Sequence, residues 1–413
     1  MSDSKEKDVK RNVPKLRFPG FTDPWEQRKL GEVARRVTRK NTGNESDLPL
    51  TISAQNGLVD QRTFFNKQVA SKDMSGYYLL HKGEFAYNKS TSNGNPWGAV
   101  KRLEMYEKGC VSTLYICFEP FDADSDWLCV YYETDYWHKE VRAIATEGAR
   151  NHGLLNVSPD DFLQTRLLVP SSTAEQRAIG AFFADVDNLI TLRQRELERT
   201  KELKRGLLQK MFPREGSDVP EIRFPGFTDP WEQRKLGDEF KKVNERNDGS
   251  FGREHWISVA KMYFQDPELV QSNNIDTRTY VMRKGDIAFE GHPNAEFAYG
   301  RFVANDIGDG VVSELFPVYR HIAEYDNDYW KHAIQIERIM APLFAKSITS
   351  SGNSSNKLDS HHFLRQRIPV PSLSEQRAIG AFFRDIDHLI TLRQRELDHV
   401  KLLKKALLQQ MFV

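Results

Sequence analysis

Two strings occur twice in this chain of 413 residues, and what lies between the copies does not match. VPKLRFPGFTDPWEQRKLG at 13–31 returns as VPEIRFPGFTDPWEQRKLG at 219–237, and EQRAIGAFFADVDNLITLRQREL at 175–197 returns at 375–397 with only positions 184, 186 and 188 changed. Such a tandem duplication constrains the fold strongly. A constant frame must be stable in the same way twice, while two inserts of domain size, 32–174 and 238–374, vary upon it.

The second string reads as helix. Ser172, Thr173 and Glu175, and again Ser372, Ser374 and Glu375, follow a proline and supply capping groups and an early acidic charge. Apolar residues then recur at Ile179, Phe183, Val186, Ile190 and Leu197, and at Ile379, Phe383, Ile386, Ile390 and Leu397, with Leu207, Met211, Leu407 and Met411 further on. Alternating spacings of four and three are the signature of a coiled-coil stripe. Arg193, Thr200 and Lys204 interrupt it and are expected to weaken it locally. At 1.5 Å per residue each helix would be roughly 55 Å long. Neither stripe can remain in water, so the two helices are expected to pack on each other, antiparallel, about a rough two-fold axis.

The first string combines turn formers with aromatics: Phe18-Pro19-Gly20-Phe21, then Thr22-Asp23-Pro24-Trp25. Its simplest reading is a structural clasp onto the neighbouring helix. Short β-branched and aromatic stretches in both inserts, such as 111–118 and 311–319, are bounded by Gly, Asn, Asp and Pro and read as strand. Lys82-Gly83-Glu84 matches Lys284-Gly285-Asp286 and Gly98 matches Gly300, so the inserts are expected to share one fold. The expected class is α+β: two mixed heads and two long helices. The boundaries are a disordered tail at 1–12, a first head with its clasp at 13–174, a helix at 175–212, a linker, second clasp and second head at 213–374, and a helix at 375–413.

Catalytic chemistry finds no foothold. Phosphate-loop, dinucleotide, zinc-protease and nucleophile-elbow motifs are all missing, and Cys110, Cys117 and Cys129 have no ligand spacing and read as core. His361 and His362 are adjacent, which on a strand would put them on opposite faces, so no metal set is expected. No apolar run approaches the ~20 residues that span a bilayer, and the polar start is unlike a secretory signal, so a cytoplasmic location is expected. The inserts are not basic: 16 Lys and Arg stand against 18 Asp and Glu in the first, and 16 against 19 in the second. Nucleic-acid binding must therefore rest on local patches or on a partner's charge.

The order of clasp, variable segment and Glu-Gln-Arg helix, given twice, resembles the specificity subunit of type I restriction-modification systems. The resemblance rests on Phe18 to Trp25, repeated at Phe224 to Trp231, and on Glu175-Gln176-Arg177, repeated at Glu375-Gln376-Arg377. It implies that the heads are target recognition domains for double-stranded DNA and that the helices form a spacer. It further implies that two methyltransferase subunits dock on the chain and that motor and nuclease subunits complete the restriction complex. S-adenosylmethionine, ATP and magnesium would then belong to those partners, and the chain itself would not be catalytic.

Base reading needs forked donors and acceptors on loops that reach a groove. In the first head these are sought at Asn88, Lys89, Ser90 and Asn93, and at Arg150, Asn151 and His152; in the second, at Glu290, His292 and Asn294, and at Asn353, Ser354, Asn356 and Lys357. Arg35, Arg36, Arg39 and Lys40, with Lys241 and Lys242, are candidates for holding phosphates. The competing reading of each loop is a solvated turn. The competing reading of the whole chain is a two-headed protein-protein interaction scaffold with a coiled-coil spacer.

Overall fold

The apolar period of the second repeated string becomes two uninterrupted α-helices, Thr173–Lys210 and Leu373–Met411, of 38 and 39 residues. The computed structural model describes residues 12–53, 56–67, 70–92, 94–145, 153–270, 275, 278–351 and 355–413. The tail expected to be disordered lies outside these, Asn12 excepted. Two compact units share the long helices: Met1–Gln194 with Glu396–Val413, and Arg195–Arg395. Among the described residues no helix is long and apolar enough to cross a membrane.

Each unit carries one head, and the heads have the same plan. In the first, a four-stranded sheet runs in the order Ala34–Arg36, Ile116–Pro120, Phe85–Asn88, Ala99–Arg102; in the second, Phe240–Val243, Val318–His321, Ile287–Glu290, Arg301–Ala304. Every pairing is antiparallel. A two-stranded sheet accompanies each, Tyr78–His81 with Lys108–Val111 and Thr279–Met282 with Gly310–Ser313. The apolar stretches 111–118 and 311–319 are therefore not single strands. Each crosses from one sheet to another through a turn, because Ser112 and Ser313 bond back to the chain just beyond them. Phe85, Phe118, Trp127 and Phe162 fill one core, and Phe289, Phe302, Trp330 and Phe363 the other. Cys117 belongs to the first head's interior, and burial pushes its thiol up to about 12.

The clasp is covalently distant from the helix it holds and is bound to it in three ways. Its strand Glu26–Lys29 pairs with Arg166–Val169, just ahead of the first long helix, and Glu232–Lys235 pairs likewise with Arg367–Val370. Arg17 grips Glu175 through two hydrogen bonds of 2.6 and 2.7 Å, and Arg223 grips Glu375 at the same two distances. Both carboxylates are buried, so each needs this partner. Phe18 then meets Phe182 edge to face, as Phe224 meets Phe382. The adjoining glutamine is equally committed: Gln176 accepts from the Asp124 amide and donates to the Pro170 carbonyl, and Gln376 does the same with Asp326 and Pro371.

The two long helices pack antiparallel. In the first unit Ile179 and Phe183, from the start of one, share a core with Met411 and Phe412, from the end of the other; in the second, Ile379 and Phe383 share a core with Met211 and Phe212. Leu197 and Leu397 are buried, and Val186, Ile190, Ile386 and Ile390 are partly covered. Each clasp tryptophan seals this junction edge-on: Trp25 against Phe412 and Trp231 against Phe212, both at 5.7 Å. The contacts of one unit thus repeat in the other with the helices exchanging roles.

The polar interruptions, expected to weaken the stripe locally, have partners across the helix pair, as have their counterparts in the second copy. Lys404 donates to both carboxylate oxygens of Asp187 at 2.6 and 2.8 Å, and Lys204 donates to Asp387 at 2.6 Å. Arg393 donates to the Glu196 carbonyl at 2.7 Å and to the Thr200 hydroxyl, while Arg193 lies 3.7 Å from Glu396. Opposite charges face each other across the pair, so these positions fix register. Burial alone would raise the Asp387 carboxyl, but hydrogen bonds from His332 and Lys204 outweigh it and hold the group down to about 2.

Two helical glycines mark where a head touches its helix. A methyl group on Gly180 would stand 2.6 Å from Cβ of Asp126 and 2.9 Å from the Trp127 nitrogen; on Gly380 it would stand 2.1 Å from Oδ1 of Asp326. Gly206, with open space around it, is occupied by Ala406 in the second copy. Alanine normally stabilises a helix by about 1 kcal/mol over glycine. We expect Gly206→Ala to gain roughly that amount and Gly180→Ala to lose about 1–3 kcal/mol through overpacking. Urea unfolding of the full chain measures both, and a stabilised Gly180→Ala variant would contradict the packing described.

Candidate nucleic-acid interface

In each head the tip of one hairpin is joined to a second segment that is remote in sequence. The first tip lies between strands Phe85–Asn88 and Ala99–Arg102. Gly98 closes it at φ 80, and a Cβ there would sit 2.2 Å from the Asn88 carbonyl oxygen, so only glycine fits. Asn88 Oδ1 accepts from the Ser90 amide, which turns the chain outward. The Thr91 amide then donates to the Gly153 carbonyl at 2.7 Å, and the Leu155 amide donates to the Lys89 carbonyl at 3.0 Å. Residues 89–91 are thereby brought beside residues 153–155.

The second head repeats the device with other residues. Gly300, at φ 92, brings its α-carbon so near Glu290 that a Cβ would stand 2.3 Å from the Glu290 oxygen. The Asn356 amide donates to the Gly291 carbonyl at 2.8 Å, and its side chain donates to the Tyr299 carbonyl at 3.2 Å. Gly291 has no room for a side chain either, since a Cβ would meet the Asn356 oxygen at 2.2 Å. Backbone geometry is thus common to the heads, and side-chain chemistry is not.

The side chains at the tips divide into those already engaged and those that face solvent. Lys89 is half-buried, donates to the Val157 carbonyl at 3.3 Å, and is pulled below the usual lysine range by burial, so it braces the loop. Ser90 and Ser92 point outward. In the second head Glu290 accepts from Arg301 at 3.0 Å, and His292, exposed, has Nδ1 3.7 Å from the same carboxylate. Asn294 spends its side-chain oxygen on the amides of Glu296 and Phe297 and leaves its nitrogen without a partner among the described residues. Lys357 is exposed on the strand Asn356–Leu358. Asn93, Arg150, Asn151, His152, Asn353 and Ser354 lie outside the described residues.

The candidate phosphate holders separate in the same way. Arg39 is bound to the buried Glu84 at 3.0 and 3.2 Å, and Arg35 is paired with Glu119. Lys40 lies 4.0 Å above the Tyr78 ring and donates to the Gly76 carbonyl. Arg36, Lys241 and Lys242 are exposed and have no partner among the described residues. Arg36 and Lys242 hold equivalent places on an outer strand, opposite Phe118 and Tyr319. The counterpart of the Arg39–Glu84 pair is not Lys241 or Lys242 but Arg320 with buried Asp286, at 2.8 Å twice, while position 245 holds a glutamate. The arginine lies beyond the end of the strand Ala34–Arg36 in one head and on the strand Val318–His321 in the other, a difference that sequence alone does not show.

The long helices present a second surface. Leu189, Leu192, Leu402 and Leu403 are exposed in the first unit, and Leu203, Leu389 and Leu392 in the second. Positions 189, 192 and 203 recur as 389, 392 and 403, so the apolar exposure is duplicated with the frame. These leucines stay exposed in the described structure although the frame around them is packed.

We expect Gly98→Ala to speed amide exchange at Thr91 and Leu155 and to leave Asn356 unchanged, and Gly300→Ala to do the reverse. Hydrogen exchange read by mass spectrometry tests this; slow exchange at all three amides in both variants would show that the tips do not depend on these glycines.

No family model matches the chain. The type I restriction enzyme MjaVIII specificity subunit of Methanocaldococcus jannaschii is 21% identical over 338 residues, 76% of this chain and 76% of its own length. The putative type I restriction enzyme MjaX specificity subunit of the same organism is 23% identical over 428 aligned positions, covering 96% of this chain and 95% of the relative. The crystal structure of a type I restriction-modification system S subunit from M. genitalium shares the fold at a TM-score of 0.55 and 15% identity, over 97% of this chain and 99% of that one. Two helices clasped to two sheet-built heads, repeated frames, and these likenesses along most or all of the chain agree: it is related in sequence to, and has the fold of, the specificity subunits of type I restriction systems.

Proposed function

We propose that this chain is the noncatalytic DNA-specificity subunit of a type I restriction-modification complex. The heads, 13–174 and 213–374, each read one half of a split, asymmetric target in double-stranded DNA. The observation that carries this reading is the pair of tips: one backbone device, fixed by Gly98 and Gly300, displays hydroxyls in one head and a histidine, an amide and an acid–arginine pair in the other. Readers of different sequences on a common scaffold need that division between constant backbone and variable side chains.

The helices supply the fixed separation of the half-sites. Their cross-helix pairs, Lys404 with Asp187 and Lys204 with Asp387, oppose sliding, and DNA presents the same groove again only every ~34–36 Å. The duplicated exposed leucines support docking of two methyltransferase subunits of one kind. S-adenosylmethionine, ATP and magnesium are carried by those partners and by the motor and nuclease subunits, in agreement with the missing motifs. Near-neutral heads then bind DNA within an assembly whose partners contribute the positive charge.

The test is to co-express the chain with its methyltransferase subunits and map modified bases across the genome. A bipartite motif is expected. Replacing residues 238–374 by another insert should change one half of that motif and leave the other and the spacing intact. A two-headed protein-binding scaffold predicts no modified motif and no discrimination by the partner-loaded complex between target and scrambled duplex.

A further inference from the structure

His361 and His362 do not lie on a strand. They fall on the helix Ser360–Leu364, whose N-cap is Asp359. Side-chain atoms of Asp359, His361 and His362 that are able to ligate a metal come within 4.8 Å of one another. We propose that this turn is a binding site for a divalent cation of the zinc class, with two imidazoles and one carboxylate as ligands.

The backbone that carries the three ligands is rigidly held. The Asp359 amide donates to the Ser347 carbonyl at 2.8 Å, the Ser360 hydroxyl lies 2.8 Å from the Tyr319 hydroxyl, and Phe363 is buried in the head's core. Both histidines are exposed, and neither ring makes a hydrogen bond to another group among the described residues; the nearest approach is His362 Nδ1 to Asp359 Oδ1 at 3.9 Å. Their ring centroids are 5.9 Å apart. Ligands each about 2.0–2.2 Å from a tetrahedral zinc are roughly 3.3–3.6 Å from one another, so closure needs only side-chain rotation in open solvent. Asp359 can serve while still capping, since Oδ1 accepts from the His362 amide at 2.8 Å and a carboxylate oxygen that accepts a hydrogen bond keeps a second lone pair for a cation. Two imidazoles with one carboxylate favour zinc, cobalt or nickel over magnesium or calcium.

The first head provides an internal control. Its corresponding helix, Pro159–Leu163, is capped by Ser158 and carries Asp160 and Asp161 where the second head has His361 and His362; Phe162 is buried as Phe363 is. The same turn therefore folds with no imidazole. Among the described residues this gives one such site. The site follows directly after Asn356–Leu358, the strand joined to the second tip, and its existence does not depend on what that tip reads.

Untagged full-length chain titrated with Co²⁺, followed by visible absorbance, and with Zn²⁺, followed by calorimetry, tests the site. One equivalent is expected, with a tetrahedral cobalt spectrum. Asp359→Ser retains a helix cap, as Ser158 shows, and should weaken binding by at least about tenfold. His361→Ala with His362→Ala should abolish the equivalent while leaving the metal-free melting temperature unchanged. Absence of binding to the wild-type chain, or unchanged binding by the double variant, would overturn the proposal.

Discussion

A buried carboxylate in the first turn of each long helix is what the rest of this molecule is arranged around. Glu175 and Glu375 are almost wholly out of water, where an unpaired charge is untenable. Each is neutralised by one arginine from a clasp more than 150 residues earlier in the chain, with both oxygens engaged. Removing one member of such a pair costs about 3–5 kcal/mol because the other stays buried. The clasp is therefore obliged to sit at the helix start, and with it the strand that pairs with the last strand of the head. Trp25 and Trp231 follow, and each closes over the end of the opposite long helix. One ion pair thus commits a head to both helices at once.

That arrangement explains the pattern of variation. Residues in the frames are tied to one another: arginine to glutamate, glutamine to the N-cap of a head helix and to a proline carbonyl, glycine to a head helix that leaves no space for a methyl group, lysine to aspartate across the helix pair. None can change alone without stranding a charge or a donor. The tips are under a different constraint, since Gly98 and Gly300 preserve the backbone path while the side chains displayed by it are free to differ. Constant frame and variable side chains thus separate along the chain.

Much of this was legible from the residues. The four-three spacing from Ile179 onward gave both helices and their pairing. What was not legible depended on partners across space. Lys204 read as a flaw in an apolar stripe because its carboxylate, Asp387, lies on the other helix. Arg39 read as a phosphate holder because nothing near it in sequence announces Glu84. His361 and His362 read as divergent on a strand, whereas Asp359 caps a helical turn there and gathers them. Periodicity reports which face is apolar; it does not report which charges meet.

We propose that the paired helices hold two unlike readers at a set separation. Inserting one heptad into both long helices at the Leu197 and Leu397 level keeps the apolar stripe in phase and lengthens each by roughly 10 Å, about three base-pair steps of DNA. Mapping modified bases in cells that express the lengthened chain with its methyltransferase subunits is the most direct test. Both half-sequences should be unchanged and the gap between them longer by about three base pairs. An unaltered gap, with modification intact, would contradict the account.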